Sequence, residues 1–282
     1  GRQVALKCEY LNPSGSFKDR GSALIVSFLR SRGVSEAVED SSGNAGASFA
    51  AYAARAGMRG RVFVPDSASG PKRAQIQAYG AELVPILGPR SNAAEAVRRA
   101  AEGGAAYASH AYLPFNLPGY ATAAYELVEQ LGGAPGTVIV PAGQAGFLLG
   151  MLRGFVALRA AGVIAHIPKL VGVQAAACAP IWALAAYGAD GLRFVSEGET
   201  VAEGIRVLRP LRGDAVLRET EQHGGGFTAV DEDEILAGRD ELAKRGFYVE
   251  TTSAVVWAAL KQELQRSAAL PDPLVLVLTG SG

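Results

Sequence analysis

Four short segments carry residue types that can hold a charged ligand or take part in covalent chemistry. The first is Asn12-Pro-Ser-Gly-Ser-Phe-Lys-Asp-Arg-Gly21, where a Pro/Gly/Ser turn throws Lys18, one of six lysines in the chain, onto the first turn of a helix. The positive end of a helix dipole lowers the pKa of an amine, and a deprotonated lysine can form a Schiff base. Spacing alone reads equally well as a surface lysine at a helix start. The second segment is Asp40-Ser-Ser-Gly-Asn-Ala-Gly-Ala47, after a strand and opening a helix. Free N–H groups there suit a carboxylate, or simply form a capping turn. The third, Pro141-Ala-Gly-Gln-Ala-Gly-Phe147, lets glycine N–H groups wrap a phosphate, although it is neither GxGxxG nor a Walker loop. The fourth, Leu278-Thr-Gly-Ser-Gly282, is a small hydroxyl-bearing turn after the last strand.

The elements that must position these segments alternate. Strands are expected at 4–11, 37–40, 61–65, 82–87, 105–109, 137–141, 169–174 and 273–279. Helices are expected at 16–32, 44–56, 71–79, 92–102, 119–131, 146–160 and 252–266, the first, second and third ending at Gly33, Gly57 and Gly80. Asp231 and Glu234 form a capping-box pair at a further helix start. This βα alternation predicts an α/β fold of parallel-rich sheets with helices on both faces, with ligands held outside the carboxyl ends of the strands. Gly224-Gly-Gly226 reads as a mobile loop. Trp182, Trp257, Tyr52 and Phe155 read as core. His110 reads as a structural histidine ahead of a cleft residue.

Composition narrows the function classes. The 282 residues suffice for about two domains. Lys+Arg and Asp+Glu balance at 27 each, which argues against nucleic-acid or membrane-surface binding. No run approaches the ~18 apolar residues of a membrane span, and the opening Gly-Arg-Gln-Val reads as no signal peptide. Two cysteines, Cys8 and Cys178, fit a reducing, cytoplasmic setting, and with three scattered histidines they supply little material for a metal site. The 35 glycines, against a usual ~7%, suggest many close backbone approaches to something bound.

In this order the four segments resemble the fold-type II pyridoxal-phosphate enzymes, a tryptophan synthase β-like group, and the threonine synthases most of all. Asn12–Gly21 is very close to that family's lysine motif, Ser-Ser-Gly-Asn matches its substrate-carboxylate loop, and Gly246-Phe-Tyr-Val-Glu-Thr-Thr-Ser-Ala254 resembles its late stretch. The resemblance covers nearly the whole chain. It implies a smaller α/β domain at 34–125 carrying the carboxylate loop. A larger cofactor-binding domain would be made of 1–33 and 126–282. It also implies pyridoxal 5'-phosphate as cofactor, a small amino-acid substrate and a homodimer.

The resemblance also implies roles. Lys18 would hold the cofactor as a Schiff base and then move the α and β protons. Asn44 would hydrogen-bond the ring hydroxyl. The backbone of Gly143, Gln144, Ala145, Gly146 and Phe147 would hold the phosphate, and Gly204 would lie near the ring edge. Thr279 would hydrogen-bond the pyridine nitrogen; a neutral hydroxyl does not keep that nitrogen protonated, which suits elimination and replacement over transamination. Ser41, Ser42, Gly43 and Asn44 would grip the substrate carboxylate.

The implied reaction is that of a lyase, O-phosphohomoserine plus water giving threonine plus phosphate. Two departures favour the runner-up, a threonine/serine dehydratase. Asn116 stands where the threonine synthases carry an arginine for the substrate phosphate, and Ala202-Glu-Gly-Ile205 looks more like the dehydratases. Lys72, Arg73 or Arg206 could substitute for that arginine. A non-catalytic binding protein on this fold is the rival from another class. A nucleotide-dependent oxidoreductase is weaker still, because GxGxxG is absent.

Overall fold

The computed structural model describes residues 3–67, 70–88, 90–266 and 270–281. In chain order its elements are β1 (Val4–Cys8), α1 (Lys18–Ser31), β2 (Glu36–Glu39), α2 (Asn44–Arg55), β3 (Arg59–Pro65), α3 (Pro71–Ala78), β4 (Glu82–Ile86), α4 (Arg90–Glu102), β5 (Ala106–Tyr107), α5 (Asn116–Leu131), β6 (Thr137–Pro141), α6 (Gly146–Ala160), β7 (Lys169–Ala175), α7 (Pro180–Tyr187), α8 (Gly213–Gln222), β8 (Gly226–Val230), α9 (Glu232–Lys244), α10 (Thr251–Gln265) and β9 (Leu274–Leu278). The chain divides into two compact units. The inserted unit is Asn12–Gly119; the larger unit is the chain up to Leu11 and from Tyr120 on.

The inserted unit is built on a four-stranded sheet in the order β4-β3-β2-β5, every pair parallel. Alternate residues along its strands enter different cores, because successive side chains point to opposite faces. Ala37, Val62 and Val64 join Phe49 and Ile76 of α2 and α3, while Val38 and Phe63 join Val97 of α4. Helix α1 belongs to this unit because Ile25 and Val26 enter the first of these cores and Ser22 Oγ accepts from Ser48 Oγ of α2 at 2.8 Å. The sequence expectation opened the smaller domain at 34 and closed it at 125. The contacts place its edges at 12 and 119, since burial of α1 is a long-range matter that helix periodicity does not reveal.

The larger unit carries a five-stranded parallel sheet in the order β1-β9-β6-β7-β8. Val171 and Val173 pack with Val255, Val256 and Leu242 of α9 and α10. The residue between them faces the other way, where a Cβ on Gly172 would lie 3.0 Å from Leu148 of α6. So helices cover both faces of this sheet, as the α/β reading requires.

Several boundaries move. Helix α5 starts at Asn116, three residues before the expected Gly119, because Pro118 is tolerated in a first turn. Helices α7 and α8 and strand β8 were not foreseen; α7 is nearly all apolar and has no period to read. Gly224–Gly226 is a packed turn from α8 into β8: a Cβ on Gly225 would lie 2.3 Å from the Leu170 carbonyl oxygen. The expected mobile loop is corrected accordingly. Phe155 is fully buried, and Tyr52, Trp182 and Trp257 are half-buried.

Candidate active site

The inserted unit holds Lys18, Ser41, Ser42, Gly43, Asn44 and Asn116; the larger unit holds Gly143 to Phe147, Gly204 and Thr279. Each set lies at the carboxyl edge of its own sheet, where parallel α/β folds place ligands.

Lys18 is the first residue of α1 and is half-buried. The turn before it is fixed by its neighbour: the buried Asp19 carboxylate accepts the Ser14 N–H at 2.7 Å and also the Ser14 hydroxyl. Gly15 takes the positive φ of 87° that this turn needs. Asp19 thus serves the first turn, and the neighbouring lysine keeps a defined exit from it. The Ser22–Ser48 hydrogen bond ties α1 to α2, so Lys18 and the residues opening α2 share one frame.

Helix α2 opens with Asn44 after Ser41, Ser42 and Gly43. This loop lies so tightly on the first helical turn that a Cβ on Gly46 would sit 1.8 Å from the Ser41 carbonyl oxygen. Ser41 Oγ accepts the Gly43 N–H at 3.3 Å. The helix N-terminus and the loop make a compact place for an anion. Asn116 is buried; its Nδ2 donates to the His110 carbonyl at 2.6 Å, while Oδ1 has no hydrogen-bond partner among the described residues.

The same edge carries a group that the motif reading passed over. Glu39 ends β2 and is buried, with one oxygen accepting the Asp40 N–H at 2.7 Å and the other 2.5 Å from His110 Nδ1. The Tyr107 hydroxyl donates to Asp40 at 2.7 Å. Burial pushes Glu39 up, and burial followed by the Glu39 charge pushes Asp40 up to about 6. Burial, then the Lys18 charge, pushes His110 down to about 3. Two consecutive acids, Glu39 and Asp40, directly after the apolar pair Ala37-Val38 are the signal that could have found this cluster, since acids are rarely buried without a partner.

In the larger unit, β6 and β9 are neighbours, with Ile139 opposite Leu276, so the loops after them leave the same edge. Residues 142–145 lead into the 15-residue helix α6. Ala145 has φ 54°, the one positive value of a non-glycine among the described residues. A left-handed residue just before a helix turns successive N–H groups toward one point, a concavity that binds anions, and backbone strain of this kind collects at functional sites. Gly143 packs on the next loop: a Cβ there would lie 2.9 Å from Ile205 Cα and 3.2 Å from the Gly204 carbonyl. Gly143 and Gly204 are therefore brought together. The Gln144 side chain turns toward another loop, its Oε1 accepting the Leu211 N–H at 3.0 Å. Phe147 stacks edge-on against Tyr120. Thr279 is buried, with Oγ1 3.2 Å from the Ser253 hydroxyl, which also accepts the Gly280 N–H.

This donor set fits a phosphate-bearing cofactor that meets the Thr279 hydroxyl with an uncharged polar atom. The anion loop 142–147 contains no acidic side chain, and the polar group after β9 is a hydroxyl. The pattern of the family described as pyridoxal-phosphate dependent enzyme matches residues 1–280, and the chain belongs to that family. Within it, the chain is 35% identical to the threonine synthase of Methanocaldococcus jannaschii, over 100% of this chain and 70% of that protein. It is 36% identical to the threonine synthase of Synechocystis sp., over 99% of this chain and 72% of that protein. Among solved structures, the threonine deaminase of T.th. matches with a TM-score of 0.83 at 29% identity, over 100% of this chain and 88% of that one. Among the described residues, no helix is long and apolar enough to cross a membrane.

Proposed function

We propose that the chain is a pyridoxal-phosphate-dependent lyase with threonine synthase-like activity, converting O-phosphohomoserine and water to threonine and phosphate. The observation that carries this reading is the placement of Lys18 on the first turn of α1, in one frame with the Ser41–Asn44 loop that opens α2. Bound pyridoxal phosphate withdraws electrons from the substrate Cα, which makes the α proton removable and leaving groups labile. Lys18 holds the cofactor and, once released, moves protons at Cα and Cβ. Ser41, Ser42, Gly43 and Asn44 hold the substrate carboxylate, and Asn44 also reaches the ring hydroxyl. The N–H groups of Gly143 to Phe147 hold the cofactor phosphate, Gly204 flanks the ring, and Thr279 meets the ring nitrogen with a neutral hydroxyl.

A threonine/serine dehydratase is the second reading. It is favoured by Asn116, one of whose two side-chain N–H groups donates to the His110 carbonyl and which offers a dianionic phosphate no positive charge. The likeness to a threonine deaminase structure points the same way. A cytoplasmic homodimer is the proposed form; two free cysteines are compatible with a reducing compartment, and sedimentation equilibrium reads the mass.

The test is the visible absorption of the purified protein beside Lys18→Ala. A band that borohydride bleaches and that Lys18→Ala lacks is expected. Phosphate release from O-phosphohomoserine then separates the first reading from keto-acid formation from threonine or serine. A protein that pyridoxal phosphate cannot colour would overturn both.

A further inference from the structure

We propose that Glu39 and His110 form a proton-carrying dyad in which His110 Nε2 is a second acid–base group beside Lys18, acting on the oxygen that leaves or adds. This rests on the function proposed above. Strands β2 and β5 are adjacent and parallel, with Val38 opposite Tyr107, so Asp40–Asn44 and Ser109–Asn116 leave the sheet side by side. His110 therefore stands next to the segment that runs directly into Ser41.

One hydrogen bond holds the ring and three more hold the groups around it. Nδ1 lies 2.5 Å from Glu39 Oε1, and the His110 carbonyl accepts Asn116 Nδ2 at 2.6 Å. The other Glu39 oxygen accepts the Asp40 N–H at 2.7 Å, and Ser109 Oγ accepts the Tyr112 N–H at 3.1 Å. Among the described residues Nε2 has no hydrogen-bond partner, and it is not one of the buried unpaired atoms. The His110 side chain keeps 18% exposure against 1% for Glu39, so the pair is closed behind Nδ1 and open at the other nitrogen. An imidazole oriented through one nitrogen by a buried carboxyl, with its second nitrogen presented, is the arrangement of a general acid–base group.

A cation is not the better occupant. Ligand atoms of Glu39, Asp40 and His110 lie within 4.8 Å of one another. Neighbouring ligands on one metal at roughly 2.0–2.2 Å stand about 3 Å or more apart. The 2.5 Å between Oε1 and Nδ1 is a hydrogen-bond distance, with a proton between them.

The charges facing the ring define where that proton rests. Burial, the largest influence, acts with the Lys18 and Arg90 charges against a positive imidazole, and Asp40 favours one; burial also favours a neutral Glu39, against the Asp40 N–H and the Lys18 and Arg90 charges. In the proposed resting form of the 2.5 Å pair, Glu39–OH donates to Nδ1 and the ring proton sits on Nε2. In the forward step Nε2 gives its proton to the departing oxygen as the carbon–oxygen bond breaks. Nδ1 takes the Glu39 proton, and Glu39 is left as a carboxylate held by the Asp40 N–H and the fields of Lys18 and Arg90. The proton returns from the water that adds in a replacement, or from bulk solvent in an elimination.

The experiment separates the two proton transfers. The holoenzyme is given L-threonine or O-phospho-L-homoserine in D2O, and NMR follows α-proton exchange while product formation is assayed in parallel. For His110→Gln and Glu39→Gln, exchange is expected to stay within about threefold of wild type while product formation falls about 10²–10⁴-fold. Exchange and product falling together, or product unchanged, overturns the dyad. Wild-type protein that exchanges neither substrate refutes the proposed function instead. A second measurement needs no turnover: long-range ¹H–¹⁵N correlation of His110 should show the Nε2–H tautomer at pH 7. An imidazolium, or the Nδ1–H tautomer, overturns the relay even where a variant fails to fold.

Discussion

Asp40 stands between a buried acid and the first residue of the carboxylate loop, and its charge is costly there. Burial and the neighbouring Glu39 raise it from 3.8 to about 6, so the folded state binds its proton more tightly than the unfolded chain does. Stability from this group is present below the unfolded pKa and is lost as pH rises toward about 6. His110 has the opposite sign: its depressed pKa makes stability fall as pH drops below its ordinary 6.5. The two slopes offset each other in the wild type. Asp40→Asn keeps an acceptor for the Tyr107 hydroxyl and carries no titrating proton. It is expected to gain about 1–3 kcal/mol at pH 7 and about a third of that at pH 4.5, read from urea unfolding at both pH values.

At the scale of elements, the site depends on how closely loops lie against helix starts. A Cβ on Gly46 meets a backbone oxygen at 1.8 Å, and backbone cannot rotate away as a side chain would. Gly46→Ala is therefore expected to push Ser41–Gly43 off the N-terminus of α2. The expected result is a rise of tenfold or more in KM for the amino acid, with the cofactor absorption band retained because Lys18 lies on a different helix. Loss of the band with no change in KM would count against the role given to this loop. Gly119 is a comparable contact inside α5, where a Cβ would lie 2.0 Å from the Arg20 carbonyl oxygen, so the first turn of α5 sits directly on α1.

At the scale of the whole molecule, each unit carries its own sheet and its own apolar core. The inserted unit has the smaller core, and much of it is alanine, so its few large side chains weigh heavily. Ile76 is fully buried there. Ile76→Ala is expected to cost about 2–5 kcal/mol, measured by denaturant unfolding, because a packed core only partly collapses around the space left behind. The same side chain also lies 3.1 Å from the Cβ position of Gly46, so its loss would loosen the carboxylate loop as well.

The sequence by itself determined the α/β class, most strand and helix cores, and the four loops that follow strands. Those features rest on local rules: period 2 or 3.6, glycine after a helix, and Pro/Gly/Ser turns before one. The Asp231–Glu234 capping box was legible for the same reason, and the Asp231 N–H does donate to the Glu234 carboxylate at 2.9 Å. The tertiary structure alone decided that α1 packs with α2 and that α7 is a helix despite its unbroken apolar run. It alone set β2 beside β5, which carries Glu39 to His110 across 71 residues of chain. Local periodicity records which face of an element is apolar. It does not record which strands become neighbours, and in a parallel sheet neighbours come from distant parts of the chain, so the pairing of a buried acid with a histidine had to wait for the fold.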